Sequence, residues 1–202
     1  MLMTHKDIKK SVIRSQHTQR NWDLEQEMPQ EDIDLLIHAA TNCPSKQNKA
    51  RYKLHVITNR DLIESIHAKT KGLGFTNSNG QREMTTNSQT LAHVLFAFEE
   101  VSSIDERAMT KSETNVAMRD KHMSVGIAAG YLNVIASQLG YGTGCCACGD
   151  LGGIAKMLNF DGKLLLMMGI GIGSTDKNRR LHHVTGETMP THKKEDIVIK
   201  YY

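Results

Sequence analysis

The chain has 202 residues, of which 39% are hydrophobic and 23% charged, so it can bury one sizeable core and has an ordinary globular composition. Its 25 basic and 22 acidic side chains give a net charge of +3, and this balance, without a basic stripe, argues against a nucleic-acid partner. No apolar run approaches the roughly 20 residues that cross a bilayer and the N-terminus lacks the apolar stretch of a secretory signal, so we expect a cytoplasmic protein without a membrane partner.

The N-terminal half predicts alternating helices and strands. Thr4 and Asp7 form a weak capping box for a first helix, which fades into the polar residues 16–20. Pro29 begins a second helix, whose apolar residues recur at i, i+3, i+4 and i+7 and which ends near Pro44. There follow a strand (52–58), a helix (61–68), a Gly- and Asn-rich loop (72–80) and a buried strand (91–98).

The C-terminal half contains the most apolar predicted helix, residues 124–139. Such a helix is buried on most sides or also packs across a subunit interface, and Gly140 suits its C-terminal stop. Asp150 can cap a short helix, residues 164–172 predict a central strand, and residues 197–199 predict a last strand. The polar segment 102–121 is a lid or an exposed helical excursion. We find no internal repeat, so residues 1–202 are expected to form a single domain with an open mixed sheet.

Three polar segments are candidates for ligand binding. Residues 16–20 combine an amide, an imidazole, a hydroxyl and a guanidinium after a helix, which suits a phosphate, although a solvated loop more often explains such residues. Residues 43–48 offer polar donors to a ring edge, or form only a helix-terminating turn. The basic run 177–180 is a surface feature unless it returns to the same anion as Arg20.

A fourth segment, residues 140–150, alternates glycines with Cys145, Cys146 and Cys148. It follows a helix and lacks the dinucleotide fingerprint spacing, which excludes a Rossmann loop. The cysteines lack C-x2-C spacing and a second pair, so a zinc site is a minor alternative, and their clustering is a poor disulfide framework. Small residues here favour the close approach of backbone N–H groups to a flat ligand.

These segments, in this order, resemble the nitroreductase family of FMN enzymes. The resemblance covers most of the chain and is weak at each point, so the order of the motifs makes it specific. Gln16 departs from it, because the family usually has an arginine there, and Ala-Arg-Tyr at 50–52 replaces Gln-Pro-Trp. The matching stretches are residues 16–23, Pro-Ser-x-x-Asn at 44–48, Asn-Ser-Gln-x-x-Ala at 87–92, the glycine-containing helix and turn within 126–143, and the late strand within 158–173 with the basic residues after it.

The resemblance implies an α+β nitroreductase-like fold, in which a central mixed β-sheet is flanked by helices and two chains form an intertwined homodimer. Residues 124–139 and 196–202 would be the dimerising elements, and residues 99–121 the variable substrate cover. FMN would lie at the dimer interface. NADH or NADPH would reduce it, and a quinone, nitroaromatic or similar small-molecule electron acceptor would reoxidise it. No side chain is assigned a catalytic role, since the flavin carries the chemistry.

The resemblance also implies which residues contact the cofactor. The phosphate would be held by an N-terminal group and a late basic group, the isoalloxazine or ribityl chain by residues after the second helix, and the ring by the cysteine loop, with two further candidates near residue 80. The residues expected at the phosphate are His17, Thr18 and Arg20, with Gln16 nearby, and Lys177 with either Arg179 or Arg180. The residues after the second helix are Ser45, Lys46 and Asn48, those against the ring are Cys146, Ala147 and Cys148, and the candidates near residue 80 are Asn79 and Arg82. Two alternatives stay open: a flavin-binding protein without turnover, such as a sensor or storage protein, and a metal protein that uses the cysteines.

Overall fold

A computed structural model describes residues 4–72, 74–77, 79–101, 110–174 and 194–201 of the chain. Within these residues, helices pack on both faces of a four-stranded sheet, and a short hairpin stands beside it. The helices are α1 (His5–Ser15), α2 (Gln30–Thr41), α3 (Arg60–Ala68), α4 (Lys111–Leu139) and α5 (Leu151–Met157), with two short 3-10 helices at Lys46–Asn48 and Ser88–Thr90. The strands are β1 (Tyr52–Ile57), β2 (Gly74–Thr76), β3 (Arg82–Met84), β4 (Val94–Glu100), β5 (Gly142–Cys146) and β6 (Leu164–Gly171).

The main sheet has the strand order β1-β4-β6-β5, and β2 pairs with β3 in the separate hairpin. The expected α+β class is therefore confirmed. Each neighbouring pair among the described strands is antiparallel, and the parallel pairing seen in this part of the chain is an isolated bridge between Thr18 and Thr143. The four-stranded sheet of the described residues is thus antiparallel, whereas a mixed sheet was expected.

Local signals placed several helix ends correctly, whereas α4 begins at Lys111 and not at the predicted residue 124, because Thr110 and Glu113 form a capping box there. Thr4 and Asp7 form the predicted capping box, Asp150 caps α5, and Gly140 ends α4 in the left-handed conformation with φ 97°. These signals depend on residues within one or two turns of each other, so the sequence contains them in full.

Three predicted boundaries are wrong within the sheet. Residues 74–76, expected in a loop, form β2 because β3 supplies their hydrogen-bonding partner. The strand expected from residue 91 begins at Val94, since residues 88–90 form a 3-10 helix. Residues 142–146, also expected in a loop, form β5 along β6. In each case the partner lies elsewhere in the chain, where local composition does not reveal it.

The C-terminal segment also differs from its prediction. Within the described residues 194–201 there is no strand, and the side chains of Ile197, Val198 and Ile199 are 81%, 80% and 70% exposed. An apolar, β-branched segment of this kind forms a strand only when another strand pairs with it.

The core lies on both faces of the sheet. On one face α2 and α4 cover Phe96, Phe98 and Ile170, and on the other α3 and α5 cover Leu95 and Met167. Because side chains alternate along a strand, β4 and β6 contribute to both clusters. This explains why their sequences are almost continuously apolar.

Helix α4 carries apolar side chains on two faces, one turned toward the sheet and one turned outward. Leu132 and Ala136 are fully buried against the sheet, whereas Ile127 and Tyr131 on another face are 37% and 45% exposed. In the part of the chain that the structure describes, no helix combines the length and apolar character needed to cross a bilayer. The outer apolar face of α4 is exposed to solvent in the single chain.

A buried carboxylate, Glu99, lies near the start of β6 and is 1% exposed. Its oxygens lie 2.7 Å from the His55 ring and 3.1 Å from the Lys53 amine, and they accept the backbone N–H groups of Asp161 and Gly162 at 3.0 and 2.8 Å. Burial opposes ionisation, but these donors outweigh it and hold the pKa of Glu99 below its ordinary value. The cluster ties β1, β4 and the turn before β6 together.

Candidate functional site

The segment after α1 lies along the edge of β5 and crosses the end of β6. Thr18 forms a bridge with Thr143, and Trp22 forms a bridge with Gly173. The N–H of Gln19 donates to the carbonyl of Thr143 at 2.7 Å. Because side chains alternate along such an extended segment, Thr18 and Arg20 point away from the side taken by Gln19.

Glycines make this docking possible. A Cβ at Gly142 would lie 2.8 Å from the Cβ of Gln19, and a Cβ at Gly173 would lie 3.0 Å from the Gln19 side-chain amide. A Cβ at Gly144 would lie 2.3 Å from the Cβ of Gln89. The alternating glycines therefore admit two glutamine side chains of the chain itself, a role that the sequence did not suggest.

Arg20 is the cation of this segment. It is half-buried, and burial lowers the pKa of its guanidinium. No carboxylate in the described part of the chain forms an ion pair with it. A partly desolvated cation without a counter-charge suits an anionic ligand, so Arg20 and the neighbouring Thr18 hydroxyl fit a phosphate group. Gln16 and His17, predicted beside them, are exposed.

A small polar cavity of about 220 Å³ opens next to the same segment. Its walls include Arg14, His17, Gln19 and Ser174, and the Arg14 guanidinium donates to the carbonyl of Ser137 at 3.4 Å. Arg14 was not among the residues predicted for the site. Its position one helical turn before His17 is the signal that could have identified it.

The cysteine loop comprises the last two residues of β5 and the two residues after them, 145–148, and lies farther along the same edge. Cys146 is 3% exposed, while Ala147 and Cys148 are exposed. Asn87 donates its side-chain amide to the Cys146 sulfur at 3.1 Å, and Gln89 donates to the Cys145 carbonyl at 3.2 Å. In the sequence these two residues stand out only as part of the Asn-Ser-Gln-x-x-Ala motif at 87–92. The structure shows that they position the loop.

The two candidates near residue 80 lie on the β2–β3 hairpin. Arg82 begins β3, Asn79 lies in the turn, and both side chains are exposed. The base of the hairpin is joined to the loop through the bridge between Thr70 and Gly149. The hairpin is thus an arm anchored beside the cysteine loop.

The predicted residues Ser45, Lys46 and Asn48 lie in a different place. Lys46 forms an ion pair with Asp120 at 2.8 Å, and this contact holds the pKa of Asp120 below its usual range. Asp120 is in the first half of α4, whereas Asn133 of the same helix contacts the carbonyl of Ser15, next to the N-terminal segment. From position 120 to position 133 an α-helix rises about 20 Å. The 45–48 turn and the end of α1 therefore contact α4 at points about 20 Å apart along the helix.

The late basic candidates Lys177, Arg179 and Arg180 lie outside the described residues. Across the described residues, no group of His, Cys, Asp or Glu side chains is arranged to hold a metal ion. Cys145 pairs with Met168 and Cys146 with Met167, so the two adjacent cysteines point to opposite faces of the sheet.

The sequence and the fold were compared with known proteins. The model of the nitroreductase family matches residues 13–172, and no curated protein matches the sequence significantly. A nitroreductase family protein from Clostridium novyi has 16% identity and a TM-score of 0.63, with 90% of this chain and 92% of that one covered.

Two further solved structures share the fold. An FMN-dependent nitroreductase from Clostridium difficile has 16% identity and a TM-score of 0.57 over 81% of this chain and 87% of that one. Iodotyrosine deiodinase bound to FMN and 3-iodo-L-tyrosine has 15% identity and a TM-score of 0.65 over 96% and 98% of the two chains. At these identities the structures establish the fold alone.

The packing of the two glutamines on β5 can be tested at Gly144. A Cβ there would meet Gln89 and would lie 3.0 Å from the carbonyl oxygen of Gln19, so Gly144→Ala should lower the free energy of unfolding by about 1–3 kcal/mol in urea titrations. Gly152 on α5 has open space around it, and Gly152→Ala should be neutral or stabilising by up to about 1 kcal/mol. Equal stability of the two variants would contradict the packing role of Gly144.

Proposed function

This chain belongs to the nitroreductase family, and on that premise we propose that it is an FMN-dependent oxidoreductase. When bound, FMN supplies the redox chemistry, accepting hydride from NADH or NADPH and passing electrons to a quinone, nitroaromatic or similar electrophile. The protein's own residues would bind and orient the cofactor. The observation that carries the proposal is the half-buried Arg20, which has no carboxylate partner in the described residues and lies on the same strand edge as the cysteine loop.

The spacing along this edge suits a mononucleotide. Thr18 pairs with Thr143, and the extended chain from residue 143 to residues 146–148 covers roughly 10–17 Å. A phosphate at Arg20 and Thr18 would leave the flat ring beside Cys146, Ala147 and Cys148. The exposed backbone there offers N–H groups to the ring edge, while Asn87 and Gln89 hold the loop in position.

We propose that the site is completed by a second copy of the chain. Lys46 contacts α4 at Asp120, about 20 Å along the helix from Asn133, which contacts the end of α1, and we expect the 45–48 turn to reach the cofactor from the partner chain. The outer face of α4 carries the exposed Ile127 and Tyr131 and an apolar cavity of about 540 Å³. A homodimer through this face would cover that surface, and residues 197–199 would gain a partner for pairing.

The absorbance spectrum of the purified protein tests whether it binds a flavin. The protein should be yellow with a flavin spectrum, and NADH or NADPH should bleach it under anaerobic conditions. Adding a quinone or a nitroaromatic should restore the colour. A flavin-binding sensor or storage protein would be yellow and would not bleach, and a colourless protein that takes up no FMN would overturn the proposal.

The second prediction compares two positions in the phosphate segment. Arg20→Ala should weaken FMN binding roughly 10- to 100-fold, because a charge-assisted contact is lost, whereas Gln16→Ala at an exposed position should change it by no more than about twofold. Fluorescence titration with FMN measures both variants. Riboflavin, which lacks the phosphate, is the control ligand and should bind both variants alike. Equal losses of FMN affinity would mean that the register of this segment is wrong.

The third prediction concerns the dimer. Ile127→Glu places a charge on the outer face of α4 and should shift the protein from dimer to monomer in sedimentation or light-scattering measurements. FMN binding should fall in the same variant, because the second chain's 45–48 turn is lost. Ala68→Glu, at an exposed position on α3 across the sheet, should change neither property. A monomer that retains full FMN affinity would show that one chain makes the whole site.

A further inference from the structure

Two of the four cysteines are placed so that they can react with each other. Cys146 is 3% exposed, and its sulfur lies 3.6 Å from the carbonyl oxygen of Cys148. Cys148 is exposed. The chain after β5 therefore curls back over the Cys146 sulfur, with one thiol inside the protein and the other at the surface.

The backbone there allows the two sulfurs to join. Two residues apart in an extended chain, Cα atoms are separated by about 6.6 Å, at the upper end of the roughly 4.4–6.8 Å that a disulfide spans. The ladder between β5 and β6 ends at Cys146, and beyond it the Cys148 carbonyl accepts the N–H of Lys71 at 3.4 Å. Gly149, with φ 124°, supplies a turn directly beyond.

The other two cysteines are excluded by geometry. Cys145 points to the opposite face of the sheet, because its neighbour in the register is Met168 and that of Cys146 is Met167. Cys43 is at the end of α2, where its thiol donates to the carbonyl of Ala40 at 3.3 Å. Cys145 is therefore the matched control for the pair.

We propose that Cys146 and Cys148 form a redox-active thiol pair, which low-molecular-weight disulfides oxidise to an intramolecular disulfide. The exposed Cys148 attacks first, as its thiolate, and displaces one thiol from the small disulfide. Cys146 loses its proton to solvent and attacks the Cys148 sulfur of the mixed disulfide, which releases the second thiol. In sum, the protein loses two protons and two electrons, and the small disulfide takes them up to become two thiols.

The surroundings of Cys146 suit the resolving role. Burial raises the pKa of its thiol, which keeps it protonated and protected from direct attack. The side-chain amide of Asn87 lies 3.1 Å from its sulfur and can donate to the thiolate as it forms. The pair belongs to the loop that we propose lies against the flavin ring, but the exchange itself needs no flavin.

The test uses the whole protein, reduced and then incubated with glutathione disulfide, the probe for a small disulfide. Remaining thiols are blocked with N-ethylmaleimide and mapped by mass spectrometry. The wild type should lose two blockable thiols, at positions 146 and 148, and retain no glutathione on either of them. Cys145→Ser should behave in the same way.

Two variants separate the steps. Cys146→Ala should accumulate glutathione on Cys148, because the resolving thiol is gone, and the exposed change Cys148→Ser should leave Cys146 reduced. The second variant keeps the test decisive if the buried substitution unfolds the protein. Stable glutathione on wild-type Cys148, a disulfide that includes Cys145, or no oxidation at all would overturn the proposal.

Discussion

The docking of residues 17–23 on β5 depends on the missing side chains at Gly142, Gly144 and Gly173. Without a Cβ at these positions, Gln19 lies flat against the strand, and Gln89 packs beside it. The first contact brings Arg20 to the sheet edge, and the second holds the Cys145 carbonyl. One steric constraint thus aligns Arg20, the candidate phosphate-binding residue, with the cysteine loop. A side chain at any of these glycines would push the N-terminal segment away from the strand.

Much of the fold was predictable because its signals are local. The caps at Thr4 and Asp150, the stop at Gly140 and the apolar period of α2 each lie within a few residues of sequence. Strand β5 was missed because Gly and Cys residues do not favour a strand by themselves. Its conformation depends on pairing with β6, which follows α5 in the sequence.

The sequence predicted the individual segments of the candidate site, but not which residues hold them in place. The motif order pointed to residues 16–20 and to the cysteine loop, which the structure brings to one edge. The roles of Asn87 and Gln89 were missed because their partners are 59 and 56 residues away in the sequence. The contact of the 45–48 turn with the first half of α4 was not predictable either, since Lys46 and Asp120 are 74 residues apart in the sequence.

The Glu99 cluster has a consequence for the response of the fold to acid. Because donors hold the folded-state pKa of Glu99 below the value of about 4.3 in the unfolded chain, the carboxylate stabilises the fold above that value. This stabilisation is lost as the pH falls through the folded-state pKa, where the folded protein must take up a proton at a 1% exposed position. Glu99 pairs with Leu164 at the start of β6, and Gly173 lies beyond its other end. Protonation of Glu99 therefore weakens the contacts at the end of β6 that is remote from the N-terminal segment.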